Sequence, residues 1–177
     1  QFVDRDGDRD VLLTLPKQPT DPINSVVVLD FDAAPVVEPL TLRPSGEGVL
    51  ALPSAFAEIR SRHGQRAKPC SEKGRAYIGN WSNPGDVAAW SFTLPTAGTY
   101  TVAIDGRAAS KDAVGQRIEV RVGEQALVGT IAEAGIEVDG SIAIPAAEQT
   151  LTVTLLDAKR TGPAILDLFG VTLRPAG

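Results

Sequence analysis

The chain has 177 residues, enough for one ordinary domain and a tail, and its 43% hydrophobic and 22% charged residues are the proportions of a globular protein. A formal net charge of −5 argues against general nucleic-acid binding. No apolar run approaches the roughly 20 residues of a membrane span, and a single cysteine, Cys70, excludes an internal disulfide.

Methionine is absent, as expected of a fragment or a processed form. Residues 4–10, Asp4-Arg5-Asp6-Gly7-Asp8-Arg9-Asp10, alternate hard oxygen donors. The glycine is misplaced for a calcium loop and no glutamate closes it, so the segment reads as a hairpin turning at Asp6-Gly7. Residues 11–15 and 25–31 are apolar, β-branched runs separated by the proline-rich turn 16–22. Two strands make no stable core alone. They read either as the last strands of a preceding β domain or as an edge hairpin of the following one, with 34–39 as an extended linker; the domain expectation takes the first reading, 1–45 and 46–177.

Residues 53–60 have room for one helical turn. Residues 60–75 carry Arg60, Arg62, Arg66, Lys68, Lys73 and Arg75 against Glu72 alone, a basic loop on an acidic body that could attract an anion. The plainer reading is an ordinary solvated loop. Residues 78–86, Ile78-Gly79-Asn80-Trp81-Ser82-Asn83-Pro84-Gly85-Asp86, read as a loop, which places the large ring of Trp81 among turn formers. Such a ring is either a plug closing one end of a sandwich or an exposed platform for the C–H face of a sugar.

Beyond it the alternation is strict. Trp90, Phe92 and Leu94 share one face of a strand, as do Tyr100, Val102 and Ile104, then Ile118, Val120 and Val122, then Leu151, Val153 and Leu155. Turn signals stand at Thr96-Ala97-Gly98, Asp105-Gly106, Gly123-Glu124, Asp139-Gly140 and Gly162-Pro163. A last strand over 164–173 is expected to pair with an early one. The prediction is an all-β, antiparallel β-sandwich of jelly-roll type.

No catalytic constellation emerges. Asp105, Asp112, Asp139 and Asp157 lie at turn positions, where Asp serves local structure. His63 and Cys70 lack a third orienting group, and one of each is too few for zinc. The chain itself is therefore expected not to be an enzyme. Asn80-Trp81-Ser82 matches a glycosylation sequon and is given no weight.

Residues 77–92 with Pro95-Thr96-Ala97-Gly98-Thr99-Tyr100-Thr101-Val102 resemble the galactose-binding-domain-like β-sandwiches appended to carbohydrate-active enzymes. Their pattern is an I-G-x-W loop, a D-W-V-x-W/Y strand and P-x-A-G-x-Y-x-V, and residues 165–175 fit their closing strand. Residues 11–31 are similar to the last strands of the β-sandwich behind the catalytic barrel of bacterial alpha-L-fucosidases. The chain departs from the pattern at Val87, which follows Asp86 where relatives often have Trp. It also lacks a ring in 132–137, and Asp167 stands where Asn is usual.

The resemblance implies a non-catalytic carbohydrate-binding-type module on a secreted or periplasmic glycoside hydrolase, partnered by a polysaccharide and by an upstream catalytic domain. Trp81 would stack on a sugar, and Asn80, Asn83 and Asp86 would hydrogen-bond its hydroxyls. Arg66 and Arg75 would favour a sulfated glycan such as a sulfated fucan. No cofactor is implied, although some modules of this type hold a structural calcium, for which no ligands are assigned here. The alternative is a structural sandwich, packing on the catalytic domain or mediating dimerisation, with no sugar site.

Overall fold

The computed structural model describes residues 2–5, 8–11, 18, 26–28, 30, 32, 33, 41–60, 67–157 and 164–177, with backbone alone for 2–5 and 8–11. The chain divides into two compact units, 1–39 and 40–177. In the first, β1 (Phe2–Arg5) and β2 (Asp8–Val11) form an antiparallel hairpin with Arg5 opposite Asp8. The expected turn at Asp6-Gly7 falls between them, outside the described residues. Of the two apolar runs expected to be strands, Val11 belongs to β2 and Val26, Val27, Val28 and Asp30 lie outside any strand, while residues 12–15, 25, 29 and 31 lie outside the described residues.

The second unit carries β3 (Leu50–Pro53), β4 (Glu58–Arg60), β5 (Lys68–Glu72), β6 (Arg75–Trp81) and β7 (Val87–Leu94). It continues with β8 (Gly98–Ala108), β9 (Arg117–Val122), β10 (Gln125–Ala132), β11 (Gly135–Val138), β12 (Ser141–Ile144), β13 (Ala147–Leu155) and β14 (Leu166–Pro175). A 3-10 turn over Ser54–Phe56 stands where a helical turn was expected. Leu42 joins this unit, bridging Phe92 and accepting the Thr93 N–H through its carbonyl at 3.0 Å.

All described pairings between these strands are antiparallel. They follow the order β4-β7-β13-β9-β10-β11-β8-β14-β6-β5, with β12 added to β8 and β3 to β14. The period-two pattern explains the layering. Trp90, Phe92, Leu151, Val153, Ile118 and Val120 come from β7, β13 and β9, and Val102, Ile104, Leu166, Leu168, Val171 and Leu173 come from β8 and β14. All of them enter one buried cluster, so the two halves of the path close on each other as an antiparallel β-sandwich. The last strand closes the fold as expected, pairing with early β3 and β6 as well as β8.

Three expectations fail locally. Asp105-Gly106 is not a turn but the middle of the eleven-residue strand β8. The basic segment is not wholly a loop: Lys68–Glu72 and Arg75–Trp81 form a hairpin whose turn, Lys73-Gly74, takes φ of 50° and 80°. Two residues with positive φ suit the right-handed twist of a tight hairpin. Residues 78–81 likewise belong to β6, so the Trp81 loop is only 82–86.

Candidate functional site

Trp81 is wholly buried, with 0% exposure, and this overturns the reading of its ring as a platform. The reason lies in the backbone of β6. Ile78 faces the core, and simple alternation would then turn Trp81 outward. Against β14, however, Trp81 pairs with Leu166 and Ile78 with Leu168, so two residues of β6 oppose Asp167 alone. This is a β-bulge. Asn80 supplies the extra residue in the left-handed region, with φ 58°, a conformation Asn tolerates. The parity flips and the indole enters the core.

The companion residues follow. Asp86, fully buried, accepts the Ala67 N–H through Oδ2 at 2.9 Å, and Asn83 Nδ2 donates to its Oδ1 at 3.3 Å. Asn83 Oδ1 accepts the Gly85 N–H at 3.0 Å, and its carbonyl accepts the Asp86 N–H at 3.1 Å. Asn83 and Asp86 thus fold the 82–86 turn and satisfy buried backbone, and neither is presented to a ligand. Asn80 is exposed on the bulge. Arg66 and His63 lie outside the described residues. Arg75 lies six residues from Trp81 along β6, about 20 Å away at strand rise. Among the described residues, the expected site therefore does not assemble.

What the structure brings together instead is an aromatic cluster on the outer face of β5, β6, β14 and β8. Cys70 opposes Tyr77 in the β5–β6 register, and Asp167 opposes Arg107 in the β14–β8 register. Tyr77 and Phe169 are partly exposed, with ring centroids 5.4 Å apart at 41°. A second bulge lies at Phe169. Phe169 follows the buried Leu166 and Leu168 at period two and so faces outward, and it is the extra residue of β14, because Leu168 pairs with Gly106 and Gly170 with Asp105. Beyond it Val171 and Leu173 return to the core.

Arginines and carboxylates border the rings. The Arg75 guanidinium lies 4.1 Å from the Phe169 centroid and pairs with Asp105. Arg107 Nε donates to Asp167 at 2.9 Å, while its Nη2 contacts Glu72 at 2.9 Å. These bonds, to Asp167 first and Glu72 second, raise the Arg107 pKa above the usual guanidinium value. Desolvation is the main cause that pushes the Tyr77 phenol up, with nearby Cys70 and Asp167 adding to it. Among the described residues of this face, Lys68, Arg75 and Arg107 balance Glu72, Asp105 and Asp167.

At Phe169 the edge of β14 changes partner. Leu166 and Leu168 pair with β6, and Gly170 to Leu173 pair with β3. The handover leaves a cavity of about 440 Å³ bordered by Pro53, Gly74, Arg75, Asp105, Phe169 and Thr172. Carboxylates accept hydroxyl protons, guanidinium groups donate, and partly exposed rings offer apolar faces. The chemistry suits a hydroxyl-rich, ring-shaped ligand. Among the described residues no cluster of His, Cys, Asp and Glu could hold a metal ion.

No protein-family model and no curated protein matches the chain. Solved structures do. A family 35 carbohydrate-binding module from Clostridium thermocellum superposes with a TM-score of 0.52 at 13% identity, over 72% of this chain and 98% of the module. The CBM36-1 domain of a multidomain xylanase from the hindgut metagenome of Trinervitermes trinervoides gives 0.53 at 10% identity, over 73% and 98%. The chain has the β-sandwich fold of these modules. The Podospora anserina GH26-CBM35 β-(1,4)-mannanase gives 0.54 at 15% identity over 74% of this chain, which spans only 28% of that enzyme's length.

Proposed function

We propose that the chain is a non-catalytic carbohydrate-binding module whose site is the outer face around Tyr77 and Phe169. The observation that carries this reading is the aromatic pair itself. Two large rings stand partly exposed on a rigid sheet, bordered by hydroxyl-binding groups and a cavity. The fold shared with family 35 and 36 modules supports it.

Binding by such a face is weak per molecule, because exposed hydrogen bonds exchange with water and give little net free energy. Its use is to hold an attached catalytic domain near a polymer and so raise effective concentration. That the attached domain is a glycoside hydrolase of fucosidase type, exported from the cell, rests on the sequence resemblance. The charge balance of the face favours a neutral glycan over the sulfated fucan expected from the basic segment.

The test is a titration of the intact chain against mannan, xylan, β-1,3-galactan, and sulfated and desulfated fucan, each also with Phe169→Ala. Binding of a neutral polymer that Phe169→Ala weakens about tenfold supports the reading. Silence across the panel overturns it. A structural module remains the second reading because Arg75 already covers one face of Phe169. Silence together with lower stability of Phe169→Ala would establish that reading.

A further inference from the structure

The cavity at Phe169 is not isolated. On the other side of β8 lies a second cavity of about 330 Å³, bordered by Asp105, Gly106, Ala134, Gly135 and Glu137. It opens because β8 and β11 pair at one position only, Ile104 with Ile136. Asp105 borders both cavities. Together they run from β3 across β14 and β8 to β11, which is three strand spacings, or about 15 Å. A ligand seated beside Phe169 that continues past Asp105 enters the second cavity.

We propose that this face takes an internal stretch of a linear oligosaccharide laid across the strands, with Asp105 accepting hydroxyl hydrogen bonds at its middle and Glu137 at its far end. The inference rests on the sugar-binding reading above and adds the ligand's form: a chain, not a terminal sugar. Three features support it. The binding surface is longer than one cavity. Its polar groups are spaced along it, Arg75 with Asp105 at the centre and an exposed Glu137 beyond. The Arg75–Asp105 pair that spans the centre is itself more than half exposed, at 56% and 57%, and so is readily replaced by ligand hydroxyls.

The experiment measures affinity of the intact chain for manno-, xylo- and β-1,3-galacto-oligosaccharides from mono- to hexasaccharide, with Glu137→Gln and Asp105→Asn. Affinity is expected to rise with length. Glu137→Gln should weaken the hexasaccharide about tenfold and leave the disaccharide unchanged, whereas Asp105→Asn should weaken both. A hexasaccharide bound no tighter than a disaccharide overturns the proposal while leaving sugar binding intact. So does an equal loss for both lengths in Glu137→Gln. If no sugar of any length binds, the sugar-binding reading falls and this inference falls with it.

Discussion

The rim at Trp81 and the outer face at Phe169 are mirror cases. Trp81 sits among Gly, Asn, Pro and Asp and is sealed in the core. Phe169 sits in the apolar run Leu166-Asp167-Leu168-Phe169-Gly170-Val171 and faces outward. An extra residue in a strand pair lies beside Trp81 and at Phe169, but it turns only Trp81 over. The bulge in β6 shifts side-chain parity by one and buries Trp81, whereas Phe169 keeps the outward parity set by Leu166 and Leu168 and the bulge there turns Val171 and Leu173 back to the core.

The comparison breaks most sharply on stability. Trp81→Ala is expected to cost about 3–5 kcal/mol, as for a large buried side chain, measured by urea unfolding. A loss below about 1 kcal/mol would mean the indole is not core. Since Nε1 of Trp81 has no hydrogen-bond partner among the described residues, Trp81→Phe should cost distinctly less, because packing is most of what the indole contributes. Next comes Asp86→Ala, which leaves the Ala67 N–H and the Asn83 amide without their buried acceptor. Removing a buried hydrogen-bond partner costs about 1–3 kcal/mol, and sugar affinity per folded molecule should not change.

On the outer face the expectation reverses. Tyr77→Ala and Phe169→Ala should each change stability by about 1 kcal/mol or less, since both rings are partly exposed, yet weaken glycan binding by about 1–2 kcal/mol. A variant that loses stability but not affinity would return the face to a structural role.

The smallest effect concerns acid. Asp157 is held below its ordinary pKa, first by the Arg117 side chain and then by the Arg117 N–H. A carboxylate whose folded pKa is lowered stabilises the fold above its unfolded pKa near 3.9, and that contribution is lost as pH falls through the folded value. Asp157→Asn should therefore reduce stability slightly at pH 6 and by less at about pH 3, below the unfolded pKa. Unfolding curves at the two pH values read the difference. A gap undiminished at low pH would contradict the assignment.

The sandwich was legible because β7, β8, β9 and β13 keep strict period two over the residues that build the core. The site was not, because the bulge at Asn80 breaks that period at Trp81, and Phe169 stands in an apolar run whose period changes just beyond it. Signals were present. Gly79-Asn80 in one strand and Gly170 in the other are residues that mark a bulge or a close backbone approach. A Cβ on Gly79 would stand 2.6 Å from the Tyr77 ring, and one on Gly170 would stand 2.9 Å from the Leu52 carbonyl oxygen. Arg107 and Asp105 were hidden differently. Asp105-Gly106 is a common turn pair, and only the pairing of β8 with β14 shows that it lies mid-strand. The Cys70–Tyr77 and Arg107–Asp167 neighbours are cross-strand relations, which depend on register.

The most direct measurement is amide chemical-shift mapping of the intact chain titrated with a bound hexasaccharide. The outer-face account predicts that the largest shifts fall on Tyr77, Arg107, Phe169 and Gly170, extending to Gly135 and Glu137, with little change at 82–86. Shifts concentrated at 82–86, with Tyr77 and Phe169 unmoved, would contradict it.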